Sequence, residues 1–208
     1  GDQQEKEMEK YNPWNYVTNG VYAVSPEGTP VNYADADESC TAVVLITNNQ
    51  RIMIAKNDAT DGTNTSLYWG KNLYGKDVAG ITDTKDVSAA KSDFNGKGNT
   101  AAIIAAYTEH AVEMDSRDMC KALQDLNAAE DADWYIPSFK QLCEIRDNKT
   151  AINEALTAIG GTSYTSDTYW SSSESSTNKG WSVQFNSSSV GASEKSGSRR
   201  VRFVRDIE

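Results

Sequence analysis

Tyr169-Trp170-Ser171-Ser172-Ser173-Glu174, Gly180-Trp181-Ser182-Val183-Gln184-Phe185 and Arg199-Arg200-Val201-Arg202-Phe203-Val204-Arg205 decide how this chain folds. They are short apolar/polar segments separated by loops of Ser, Asn, Gly and Lys. In the middle segment Trp181, Val183 and Phe185 alternate with Ser182, Gln184 and Asn186. A period of two with aromatic enrichment and flanking turn residues predicts a half-buried antiparallel strand. Taken with its neighbours it predicts a small terminal sheet with one polar face. On that face and its loops lie Ser175, Asn178, Lys179, Ser182, Gln184, Asn186, Ser187, Ser188 and Ser189, the candidate ligand-binding residues. Small polar groups of this kind can hold a ligand. They cannot do acid–base chemistry, because the stretch has no His or Cys and Glu174 is its one carboxylate before residue 194.

Bulk composition narrows the function classes. The chain has 208 residues and a formal net charge of −10, which argues against a nucleic-acid partner. No apolar run approaches the roughly 18 residues that span a membrane. The polar opening Gly1-Asp2-Gln3-Gln4-Glu5-Lys6-Glu7 reads either as a frayed terminus or as a tether to the cell envelope, lipid-anchored, left after an export signal is removed. The three cysteines, Cys40, Cys120 and Cys143, have no metal-ligand spacing and read as buried free thiols.

Upstream, Thr41-Ala42-Val43-Val44-Leu45-Ile46 and Arg51-Ile52-Met53-Ile54-Ala55 flank Asn48-Asn49 and predict a core hairpin. Shorter strands are expected between Tyr11 and Pro30. Two loops invite a calcium reading. Counting from Asn57 puts Tyr68 where a bidentate Glu belongs, and counting from Asp93 puts the cation Lys97 at an oxygen-ligand position. Both counts fail, so no metal or cofactor is expected. Helices are predicted with Asn99 or Thr100 capping the first and Ser116 the second. Ser138 with Gln141 makes a capping box for a third, and a fourth carries Ile152, Leu156 and Ile159 and stops at Gly160-Gly161. The lone His110 lies in a helix with no nucleophile or acid patterned beside it. Arg199, Arg200, Arg202 and Arg205 read as partners of the domain's own carboxylates or as an anionic-glycan contact.

In order, the 41–55 hairpin, Tyr68-Trp69-Gly70, Asn95-Gly96-Lys97-Gly98-Asn99-Thr100, the Trp134-x-x-Pro137-Ser138 helix start and the 169–205 ending resemble a family of bacterial surface domains. That family is the C-terminal domain of collagen-like adhesins, and the ending is also similar to retroelement-diversified variable proteins. The resemblance implies an α+β, C-type-lectin-like domain over 40–208, its terminal sheet packed on helices, behind an N-terminal extension over 1–39. It implies calcium-independent binding of a glycan or of a host or bacterial surface protein at the outer cell surface, without catalysis. In diversified relatives the variable positions are the polar alternates, here Ser182, Gln184 and Asn186. The Glu-Pro-Asn, Gln-Pro-Asp and Trp-Asn-Asp motifs of calcium-dependent lectins do not occur, and no cysteine follows Cys143 to match the formylglycine-generating enzymes of this broad fold. A structural envelope or pilus-tip subunit is the alternative reading.

Overall fold

The computed structural model describes residues 2–3 and 11–207. The polar opening over residues 1–7, expected as a frayed terminus or a tether, therefore lies almost wholly outside the described residues. Among the described residues from 11 on, the fold is mixed α+β, with antiparallel sheets and five α-helices. Ten strands run in chain order: β1 (Gly20–Val24), β2 (Pro30–Asn32), β3 (Ala42–Ile46), β4 (Arg51–Ile54), β5 (Leu67–Tyr68), β6 (Thr168–Glu174), β7 (Lys179–Gln184), β8 (Val190–Glu194), β9 (Ser198–Arg199) and β10 (Val204–Asp206). The helices between β5 and β6 are α1 (Val87–Ala90), α2 (Gly96–Glu109), α3 (Met119–Glu130), α4 (Phe139–Asp147) and α5 (Lys149–Ala158).

The main sheet has the order β10-β4-β3-β1-β2, so the last strand pairs with the hairpin predicted at 41–55. β1, from the N-terminal stretch, pairs with β3 along its whole length, so the main sheet runs across the expected boundary at residue 39. β3 is buried on both faces. That is why its sequence is a continuous apolar run with no alternation. One face packs on α4 and α5, and Trp14, Val24, Val44 and Ile46 close the other.

The terminal sheet has the order β6-β7-β8. Its third strand is Val190–Glu194, not the arginine-rich segment expected there. That segment divides between two other pairings, β9 with β5 and β10 with β4. Trp181, Val183 and Phe185 are buried as their alternation demands, in the same core as Val43, Leu45, Ile52 and Ile54. Phe139 lies 5.0 Å from Trp181 between ring centroids, and Tyr164 stacks on Phe185 at 4.6 Å. Hairpin and terminal sheet thus share one core.

Local helix signals fare unevenly. The Ser138–Gln141 capping box forms in both directions. Gly160, at φ 74°, ends the last helix by letting Gly161 N–H reach back to the Leu156 carbonyl at 2.8 Å. The other two caps shift. α2 begins at Gly96 after Asn95, leaving Asn99 and Thr100 buried inside it, and α3 begins after Asp118, not Ser116. Thr100 supports the helix from within, its hydroxyl donating to the Gly96 carbonyl at 2.7 Å.

Candidate functional site

The terminal sheet corrects the expected polar face. Ser182 pairs with Trp170 across β6–β7 and so shares its face. That face is covered by a second core containing Leu67, Trp69, Trp170, Val201 and Phe203. Ser182 is consequently only 3% exposed, its hydroxyl donating to the Gly191 carbonyl and lying 3.1 Å from Ser193 Oγ. Ser175 is buried as well. The remaining candidates separate to the two ends of β7. Asn178 (half-buried) and Lys179 (exposed) lie at its start, whereas Gln184, Asn186, Ser187, Ser188 and Ser189 are exposed at its end. Ser187 Oγ donates to Gln184 Oε1 at 3.4 Å and Ser189 N–H to Ser187 Oγ at 3.1 Å, which gives the β7–β8 turn a defined shape.

Beside the other end of the sheet lies a cavity of about 310 Å³, lined by Ile81, Thr82, Asp93, Asn99, Ser173 and Glu174 among others. Asp93 organises its wall. Its carboxylate accepts from Asn95 N–H at 2.8 Å, Asn99 Nδ2 at 2.8 Å and Ser173 Oγ at 2.7 Å. Glu174, at the same wall, pairs with Lys195, whose Nζ is 2.5 Å from Oε2. Burial raises the Glu174 carboxyl to about 8, the Asp83 carboxylate adding to it by accepting from the protonated acid, and burial lowers the Lys195 ammonium. Sequence reading missed this pair. Its signal was a single carboxylate in a serine tract and a lysine in a Ser/Gly loop.

The arginines are engaged internally. Arg200 and Arg202 both meet Asp58, Arg200 also meets Asp167, and Arg205 meets Asp133. Arg199 donates to the Ser198 carbonyl at 2.7 Å. A free anion-binding cluster is therefore not what these residues form. His110 contacts the backbone oxygen of Asp77. All three cysteines are buried and unpaired, and burial holds the Cys120 and Cys143 thiols above their ordinary pKa, so neither is a ready nucleophile. Among the described residues no helix is long and apolar enough to cross a membrane.

The comparisons with known proteins agree with this architecture. Curated protein sequences give no match. Among solved structures, a fimbrial protein from Bacteroides ovatus ATCC 8483 superposes with a TM-score of 0.66 at 16% identity, over 90% of this chain and 48% of that one. The chain thus spans about half the length of that protein and shares its fold there. The sequence model of the Lcl C-terminal domain matches residues 58–205, which takes in the terminal sheet, all five helices and the Asp58–Arg202 pair. The chain belongs to the Lcl C-terminal domain family.

Proposed function

We propose that this is a non-catalytic cell-surface protein with a C-type-lectin-like domain that binds a glycan or a protein through the β7–β8 turn. The observation that carries the reading is the contiguous exposed run Asn186-Ser187-Ser188-Ser189 beside exposed Gln184, mounted on a strand whose apolar residues are locked in the core. A polar loop on a rigid scaffold can change its surface without disturbing the fold. The pairing of β10 with the early hairpin, so that both ends of the domain meet in one sheet, supports the lectin-like assignment. Family membership and the fimbrial structural neighbour support an exported surface location, with a lipid anchor as one means of attachment. Ser175 and Ser182 fall out of the proposed site because they are buried, and Asn178 and Lys179 form a separate patch.

The test is a glycan and surface-protein array probed with the purified chain and with a Gln184→Ala, Asn186→Ala, Ser188→Ala variant. A ligand bound by the first and lost by the folded variant supports the site. Equal binding by both moves the site elsewhere. A structural subunit is the second reading, supported by the fold this chain shares with part of a fimbrial protein. It predicts self-association on sizing columns with no array signal.

A further inference from the structure

Lys195 and Glu174 meet where water does not reach, and their arrangement exceeds what an ion pair needs. Both side chains are 0% exposed. Lys195 Nζ is 2.5 Å from Glu174 Oε2 and donates to the Lys76 carbonyl at 2.8 Å, so the amine is held from two sides. Since that oxygen is bonded to Cδ, Nζ is no more than about 3.7 Å from the carboxyl carbon. The Trp69 ring covers the pair, with Nζ 4.8 Å from its centroid. Gly180 sits opposite Glu174 in the β6–β7 register, and a Cβ there would lie 2.5 Å from the Trp69 indole. The missing side chain is what allows the indole to seal the site. The exposed Asp83 brings a carboxylate oxygen within 4.8 Å of one of Glu174, and the cavity described above borders Glu174.

We propose that Lys195 and Glu174 condense to an intramolecular isopeptide bond, which ties the end of β6 to the segment leaving β8. Burial of an ion pair carries a desolvation cost that its attraction does not always repay, and the neutral amine and neutral acid avoid it. Burial shifts both groups toward those neutral forms. Proton transfer from the Lys195 ammonium to the Glu174 carboxylate leaves the amine lone pair free. Nζ attacks Cδ and forms the C–N bond, and the Nζ proton passes through the Asp83 carboxylate to the departing oxygen. One water leaves toward the cavity, and a secondary amide remains. No oxidant or co-reactant is required. Fixing two reactants near attack distance is worth effective molarities on the order of 10⁵–10⁸ M. The bond would close a loop across 21 positions, joining two strands of the terminal sheet's ends.

The experiment is intact-mass measurement of the purified, denatured full chain, followed by trypsin digestion. The expected mass is lower than the sequence mass by one water, with trypsin skipping Lys195 and yielding a branched peptide that joins the segments holding Glu174 and Lys195. Asp83→Asn, a change at an exposed side chain, should leave a mixture of linked and unlinked chains. Lys195→Met and Glu174→Ala should both carry their full sequence masses. The wild-type measurement stands whether or not those variants fold. A full sequence mass in folded wild-type protein after prolonged incubation overturns the proposal. So does a water loss that digestion maps elsewhere, for example to Asp61-Gly62.

Discussion

Asp58 holds Arg202 wholly inside the protein: Arg202 Nε donates to Asp58 Oδ1 at 2.9 Å, and the arginine side chain is 0% exposed against 7% for the aspartate. The guanidinium also donates to the Thr162 carbonyl at 2.6 Å and lies 4.4 Å from the Tyr164 ring centroid. Asp58 accepts from Tyr169 and Arg200 besides, so one carboxylate joins the loop after β4 to β6 and the C-terminal segment.

Asp58→Ala should therefore cost about 3–5 kcal/mol, the usual result of stranding a buried charge. Arg200→Ala removes a partner that is 28% exposed and should cost under about 1 kcal/mol. Urea denaturation of the two variants checks both values. Similar losses in the two would show that Asp58 does not discriminate between its arginines.

In the terminal sheet β7 is buried on both faces at its centre and exposed only at its ends. Trp181→Ala should cost roughly 3–5 kcal/mol, since its ring packs on Phe139 and its Nε1 donates to the Thr84 carbonyl at 3.0 Å. Ser182→Ala should cost about 1 kcal/mol through its buried hydrogen bond. Gln184→Ala and Asn186→Ala should stay within about 0.5 kcal/mol. Thermal denaturation ranks the four. A neutral Ser182→Ala would return that side chain to the solvated face expected from its sequence.

That contrast shows what was legible in the sequence. Trp181, Val183 and Phe185 reveal their burial by alternation, and Ser138 with Gln141 reveals a helix start, because each pattern is local. Ser182 also alternates, but its face is covered by Trp69 and Val201, which come from opposite ends of the domain. Periodicity cannot report a layer supplied by distant chain. The same holds for Asn99, which reads as a cap but lies inside a helix whose carboxylate partner, Asp93, precedes it. The Glu174–Lys195 pair needed β6 and β8 to be placed in one sheet before either residue had a neighbour.

Acid titration offers a check on loop geometry. Asp61 accepts from Asn64 N–H at 2.6 Å, Asn64 Nδ2 at 3.0 Å and Thr63 N–H at 2.9 Å. The Asn64 side chain, then the backbone donors, hold its carboxyl down to about 2. A depressed carboxyl contributes stability that is present above its ordinary value of 3.8 and is lost as pH falls through about 2. An NMR titration should place the Asp61 midpoint near 2, and Asn64→Ala should move it up toward the ordinary value. An unshifted midpoint in that variant would assign the effect to the backbone donors alone.

Calcium should leave stability unchanged, for reasons visible residue by residue. In the loop that begins at Asn57, the Asp58 oxygens are committed to Arg200, Arg202 and Tyr169. In the loop that begins at Asp93, the carboxylate is committed to Asn95, Asn99 and Ser173. Asp77, Asp83 and Glu174 do bring carboxylate oxygens within 4.8 Å of one another, but Lys195 Nζ already stands against Glu174. A hard cation needs several oxygens freed together, and each of these clusters would have to surrender a buried partner first. Calcium at a hundred times its Kd would add about 2.7 kcal/mol, a rise of roughly 5–10 °C in a chain of this size. The midpoint after chelation and readdition of millimolar calcium should move far less than that. A rise of the full size would mean that one of these clusters gives up its protein partners for the ion, and substituting Asp58, Asp93 and Asp83 one at a time would identify which.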